Sequence, residues 1–211
     1  DGARRVPEAG RVRAALAGLW ATLRSVARMG AVGRFLLAHM LYADGLVTLF
    51  AMGGVYVSGV YGFSLPQVML FGIVLNVTAG IGAAGFAWVD DRVGSKPTIL
   101  VALAGLLGAG AAILLVEDAG WVWVSGAVLG AFVGPAQAAS RSYMARIAPP
   151  DSRTELFGLY ALAGKATAFL GPWLVGIVTA ASGSQRAGMA VILGFFLAGA
   201  AVLATVRGDR P

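Results

Sequence analysis

Six apolar stretches separated by short polar breaks run from Phe35 to Val206, and no other feature of the chain constrains its fold as tightly. Each is near or above the roughly 20 residues that an α-helix needs to cross about 30 Å of hydrocarbon. In lipid the backbone has to satisfy its own hydrogen bonds, so six such stretches read as six transmembrane helices. The expected spans are Phe35 to Val60, Pro66 to Val89, Thr98 to Val116, Trp121 to Arg141, Glu155 to Ala181 and Ala187 to Val206. Charged residues make up only 12% of the chain, about half the share in a soluble domain. No stretch remains for a soluble catalytic domain. The expected division is a cytoplasmic linker over 1–33, a six-helix membrane domain over 34–207 and a cytoplasmic tail over 208–211.

There are no cysteines and one histidine, which excludes disulfides and thiolate zinc sites and leaves no metal or cofactor to expect. Ser58, Ser125 and Ser182 each neighbour a glycine, but none sits in a full Gly-x-Ser-x-Gly elbow. An intramembrane hydrolase is therefore not expected. The 31 glycines fit a helical membrane bundle, in which small residues let helices approach closely. Gly126, Gly130 and Gly134 read as a close-packing stripe. Gly72, Asn76, Gly80 and Ala84 form a second stripe, suited to helix packing or to the wall of a solvated cavity, with packing the favoured reading.

A net charge of +6 suggests nucleic acid until its placement is considered. Arg4, Arg5, Arg11, Arg13, Arg24, Arg28 and Arg34 precede the first span, Arg92 and Lys96 lie in the second break, and Arg146 and Arg153 lie in the fourth. The opposite breaks hold Glu117 and Asp118, with Arg186 their sole cation. The positive-inside rule then puts both termini in the cytoplasm and leaves no surplus charge to assign to nucleic acid. Upstream, Val12, Leu16, Leu19, Trp20, Leu23 and Val26 recur at helical spacing with arginines between them, the pattern of a helix lying in the headgroup region. A chain that opens at Asp1 inside a basic linker reads as truncated.

Asp44 and Lys165 lie about ten residues from the cytoplasmic ends of the first and fifth spans, hence at a common depth of roughly 15 Å. Charges at such depth need a partner, a bundle interior or water. A structural ion pair and a binding or proton-coupling site both satisfy this. Thr48 extends the polar face of Asp44 by one helical turn. His39 and Tyr160, nearer the cytoplasmic ends, read as interfacial anchors.

The second break, Ala87-Trp-Val-Asp-Asp91-Arg92-Val-Gly94-Ser-Lys96, resembles the loop signature of the major facilitator superfamily, Gly-x-x-x-Asp-Arg-x-Gly-Arg-Lys. Asp91, Arg92, Gly94 and Lys96 fit it, whereas Ala87 and Ser95 depart from it. Phe35 to Gly45, Leu75 to Gly80, Gln137 to Ser142 and Glu155 to Tyr160, continuing to Lys165 and Gly171-Pro172, resemble the second half of the autophagy-related vacuolar amino-acid effluxers of fungi and their bacterial relatives.

That resemblance implies an all-α membrane fold of two inverted three-helix repeats, one half of a twelve-helix transporter working by alternating access. It implies a substrate cavity lined by Asp44, Thr48, Asn76, Gln137, Tyr160 and Lys165, and a cytoplasmic gating loop of Asp91, Arg92, Gly94 and Lys96. In the family the acid–base pair of that loop latches neighbouring helices. The implied partners are the lipid bilayer, a small-molecule substrate and an N-terminal six-helix half, in a bacterial inner membrane. The competing reading is a non-transporting six-helix module that dimerises or docks a partner.

Overall fold

The computed structural model describes residues 30–150 and 153–206. The amphipathic linker and the C-terminal tail lie outside the described residues. Seven helices form the described chain: α1 (Ala31–Tyr61), α2 (Leu65–Val93), α3 (Ser95–Leu115), α4 (Ala119–Ile147), α5 (Arg153–Ala166), α6 (Leu170–Ser182) and α7 (Gln185–Thr205). With α5 and α6 taken together, six helical segments are long and apolar enough to cross a membrane. The chain is an all-α, multi-pass integral membrane protein.

Polar side chains and glycines mark the turns. Asp118 caps α4 by accepting from Trp121 N at 3.1 Å, and Gln67 Oε1 accepts from Ser64 N at 2.8 Å, one arm of a capping box before α2. Gly94, at φ 97, is the single residue between α2 and α3. That conformation penalises a Cβ, which explains a glycine there.

The fifth span is broken, where the sequence predicts one continuous helix. At residues 167–169 the regular ladder gives way to tighter turns, Ala168 N to Lys165 O at 3.3 Å and Leu170 N to Thr167 O at 2.7 Å. Pro172 supplies the reason. It has no N–H for the Ala168 carbonyl, and its ring crowds that carbonyl, so a helix running through it is disfavoured.

In packing, α2 lies along α4, α1 along α7 and α3 along α4, with further contacts of α1 with α5 and of α3 with α7. Exchanging the first three spans for the last three turns the first–sixth pair into the fourth–third pair and the second–fourth pair into the fifth–first pair. The third–sixth pair maps onto itself. Because successive spans alternate in direction, this is the contact pattern of an inverted repeat.

Gly126, Gly130 and Gly134 form the α4 side of the α2–α4 interface, as their spacing predicts. A Cβ on them would strike Phe71, Thr78 and the Ala79 carbonyl respectively, and one at Gly82 would strike the Ala131 carbonyl. The second stripe behaves differently. Nothing lies within 4 Å of a Cβ built on Gly72 or Gly80, and Asn76 and Ala84 are exposed. It therefore faces outward from this bundle and does not pack within it, because α2 turns Gly82 and its neighbours to α4.

Two cations close the ends of α3 and α7. Arg186 Nη1 and Nη2 donate to Leu114 O and Val116 O, each at 3.1 Å, and Tyr61 Oη donates to Ile113 O at 2.6 Å. At the other end, Lys96 Nζ donates to Ala204 O at 3.1 Å and also to Val206 O. These carbonyls have no donor within their own helix.

Candidate functional site

A groove of about 460 Å³, apolar over most of its lining and carrying a few polar and charged side chains, opens between α1, α4 and α5. Helical periodicity builds its walls. His39, Ala43, Leu46 and Phe50 recur every three or four residues on α1, Gln137 and Arg141 stand four apart on α4, and Ala161 and Lys165 stand four apart on α5. Tyr160 stacks on His39 with ring centroids 4.0 Å apart and planes at 13°. Gly164 permits that stack, since a Cβ there would lie 3.2 Å from His39 Nε2.

The floor is a buried bond between α1 and α4. Tyr42 Oη and Ser140 Oγ are 2.7 Å apart, and Ser140 Oγ donates to Ala136 O at 2.5 Å. The serine has one proton, so the tyrosine is the donor to it. Arg141 and Lys165 are both exposed within the groove, and no acidic residue lines it. Neither forms an ion pair among the described residues.

Of the six residues expected to line a cavity, the structure gathers Gln137, Tyr160 and Lys165 in this groove and sets Asp44, Thr48 and Asn76 apart from it. Asp44 is 1% exposed, and neither carboxylate oxygen has a hydrogen-bond partner. It lies one position beyond the α1 face that lines the groove and faces the Gly171 amide at the start of α6, outside good hydrogen-bond geometry. Thr48 Oγ1 donates to Asp44 O at 2.7 Å and packs where a Cβ at Gly171 would stand. Asp44 and Lys165 therefore do not pair, despite their similar depth. Depth along the helices is shared, but azimuth is not. Asn76 is exposed on α2, and its Nδ2 donates to the Gly72 carbonyl at 2.8 Å.

At the C-terminal end of α2 the acid and base of the expected gating segment, Asp91 and Arg92, take separate partners. Arg92 lies over the Trp88 ring, 3.6 Å from its centroid. The Asp91 side chain is 82% exposed, whereas that of Asp90 is 10% exposed, and both approach Arg146 of α4, at 3.9 and 3.8 Å. Gly94 N donates to Asp90 O at 3.0 Å, and Lys96 caps α7. The buried acid at this end of α2 is Asp90, one residue before the acid that the motif match singles out.

Sequence reasoning also left Arg141 and His39 out of the groove. The i, i+4 spacing of Gln137 and Arg141 was the available signal. Nothing local marks His39, whose place depends on Tyr160 arriving from α5.

Six membrane-crossing helices with a groove in the side of the bundle make this a helical, multi-pass membrane domain. The chain belongs to the family described as "Vacuole effluxer Atg22 like", which it matches over residues 4–210. It is 30% identical over 193 residues to Autophagy-related protein 22 of Cryptococcus neoformans var. neoformans serotype D (strain JEC21 / ATCC MYA-565), covering 83% of this chain and 34% of that protein. It is 25% identical over 185 residues to the Uncharacterized MFS-type transporter YxiO of Bacillus subtilis (strain 168), covering 88% of this chain and 43% of that one. The chain thus spans about a third to somewhat under half the length of these relatives.

Proposed function

We propose that this chain is the C-terminal half of a major facilitator-type transporter that moves a small solute by alternating access. The observation that carries the reading is the groove. Arg141, Lys165, Gln137 and Tyr160 are grouped in one groove on the side of the bundle. Polar and charged groups at membrane depth are costly and mark solute pathways. A second six-helix half set against this face would enclose the groove near the midplane, between the two repeats of each half. The membership of the family and the greater length of its relatives support that partner. Amino acids are the substrate class that the sequence resemblance suggests, and both termini belong in the cytoplasm by the arginine asymmetry.

On this reading the Asp90, Asp91 and Arg146 cluster controls the cytoplasmic closure between α2 and α4. The competing reading, a module that docks a partner without translocation, would use the outward-facing Gly72 and Gly80 stripe of α2. Reconstituting the full-length protein in proteoliposomes separates the two. Transport predicts saturable flux of a labelled small solute that Lys165→Met and Gln137→Ala reduce and Gly80→Leu does not. Absence of flux for every solute class, with self-association lost in Gly80→Leu, would favour docking.

A further inference from the structure

We infer that Asp44 binds a coupling proton at a site outside the solute groove, and that the break between α5 and α6 relays its occupancy to the groove. The inference rests on the transporter reading and adds the driving ion to it.

The first ground is a carboxylate without a partner. Asp44 is 1% exposed, and neither of its oxygens accepts a hydrogen bond. Among the described residues no charged side chain turns to it. The α6 helix has none, Arg186 of α7 is bound at the end of α3, and Lys165 of α5 and Arg141 of α4 lie in the groove. Asp90 and Asp91 of α2 lie beside Arg146. On α1 itself, His39 stacks on Tyr160 and Tyr42 bonds to Ser140. A bare charge at membrane depth is costly. A proton on one oxygen removes it, and water at either face of the membrane gives up or takes back that proton as the O–H bond forms and breaks.

The second ground is what the site can hold. A metal cation needs a shell of several oxygens. Besides the carboxylate, the site offers the Thr48 hydroxyl, packed so closely on Gly171 that a Cβ there would overlap it. The Gly171 amide is second in α6, where an N–H has no partner in its own helix, and it faces the carboxylate. This positive pole opposes a metal ion, whereas a proton needs neither a shell nor room.

The third ground is a responsive element beside the site. Ionised Asp44 is drawn to the positive end of α6, and the protonated form is not. Between α5 and α6, residues 167–169 are held by tight turns, one of them from Ala168 N to the Lys165 carbonyl at 3.3 Å. A shift of α6 is thereby passed to α5, which carries Tyr160 and Lys165 into the groove. A charge change at one residue biases an irregular hinge, and the solute site reads the result.

The test is an infrared pH titration of the purified full-length protein in choline chloride, with the proton itself as the probe. A protonated-carboxyl stretch should appear and vanish with pH, be missing in Asp44→Asn and move in frequency in Asp44→Glu, which keeps the test open if the asparagine variant does not fold. No such band at any pH, its persistence unchanged in both variants, or its loss when sodium chloride replaces choline chloride would overturn the inference. The second arm uses proteoliposomes held at zero potential and a labelled amino-acid mixture. A gradient of one pH unit should drive accumulation up to about tenfold for one proton per solute, and Asp44→Asn should lose it. Flux indifferent to the gradient, or accumulation that survives in Asp44→Asn, would overturn the coupling. An Asp44 band without movement of any solute would remove the transporter reading and keep the proton site, whereas solute flux without the band would do the reverse.

Discussion

Lys96 and Arg186 each stand second in a 21-residue helix, and each closes the far end of the other's helix. Arg186 of α7 holds the last carbonyls of α3, and Lys96 of α3 holds the last carbonyls of α7. The exchange is the side-chain counterpart of the inverted repeat. A cation at a helix C-terminus supplies donors for free carbonyls and complements the negative pole, worth about 0.3–2 kcal/mol. Arg186→Met and Lys96→Met should each lower the melting temperature of the full-length protein in detergent. The sites are at opposite ends of the bundle, so the losses should add within about 0.5 kcal/mol. A double variant no worse than the weaker single would contradict two independent caps.

Glycine position, and not glycine content, decides stability at the α2–α4 interface. Gly82→Ala and Gly134→Ala force a Cβ against the backbone carbonyls of Ala131 and Ala79, which move only if the helices separate. Overpacking of this kind costs about 1–3 kcal/mol or more. Gly72→Ala and Gly80→Ala meet open space and exchange glycine for a better helix former. The first pair should reduce the folded fraction in fluorescence-detected size-exclusion chromatography, and the second should leave it unchanged. Loss with Gly80→Ala equal to that with Gly82→Ala would mean that the outward stripe is packed.

The existence and number of the spans were legible because hydropathy over about 20 residues is a one-dimensional property. The α4 glycine stripe was legible for a similar reason, since i, i+4 spacing defines a helix face without knowledge of the partner. The grouping of Gln137, Tyr160 and Lys165 and the separation of Asp44 depend on how α1, α4 and α5 rotate about their own axes. Depth does not contain that information. The break after Lys165 had a local cue in Gly171-Pro172, but prolines are tolerated inside membrane helices, and Pro135 leaves α4 unbroken.

The last turn of α2 offers a direct comparison of neighbouring acids. Both line a small cavity with Thr98 and Ser142, but the Asp90 side chain is nearly buried beside Arg146 and that of Asp91 is largely exposed. Exposed ion pairs contribute about 0–1 kcal/mol, and removal of a buried partner costs more. Asp90→Asn should therefore impair transport or stability more than Asp91→Asn in the same assay. The opposite order would restore the motif-based choice of Asp91 as the main closing residue.

The placement of arginine makes the orientation testable. Reporters fused after Arg210 and between Arg146 and Arg153 should both register as cytoplasmic, and one inserted at Glu117 should register on the opposite side. An external reading at Arg210 would invert the topology and with it the side on which Asp90 and Arg146 act.

Asp44 and Lys165 are the sharpest case, because sequence depth brings them together and the structure keeps them apart. Lys165 lies exposed in the groove, while Asp44 is buried toward Gly171 with no hydrogen-bond partner. Lys165→Met should leave thermal stability almost unaltered and act on solute binding alone. Asp44→Asn removes a buried charge that faces an amide pole, so its effect should depend on α6 and be reproduced in part by Gly171→Ala, which displaces Thr48 from the same contact. In a double-mutant cycle the stability effects of Asp44→Asn and Lys165→Met should sum within about 0.5 kcal/mol, as for residues that do not touch. Asp44→Asn with Gly171→Ala should instead be strongly non-additive. Coupling of about 1 kcal/mol or more between Asp44 and Lys165 would show that the two charges meet in another access state, and Asp44 would then have to be returned to the solute pathway.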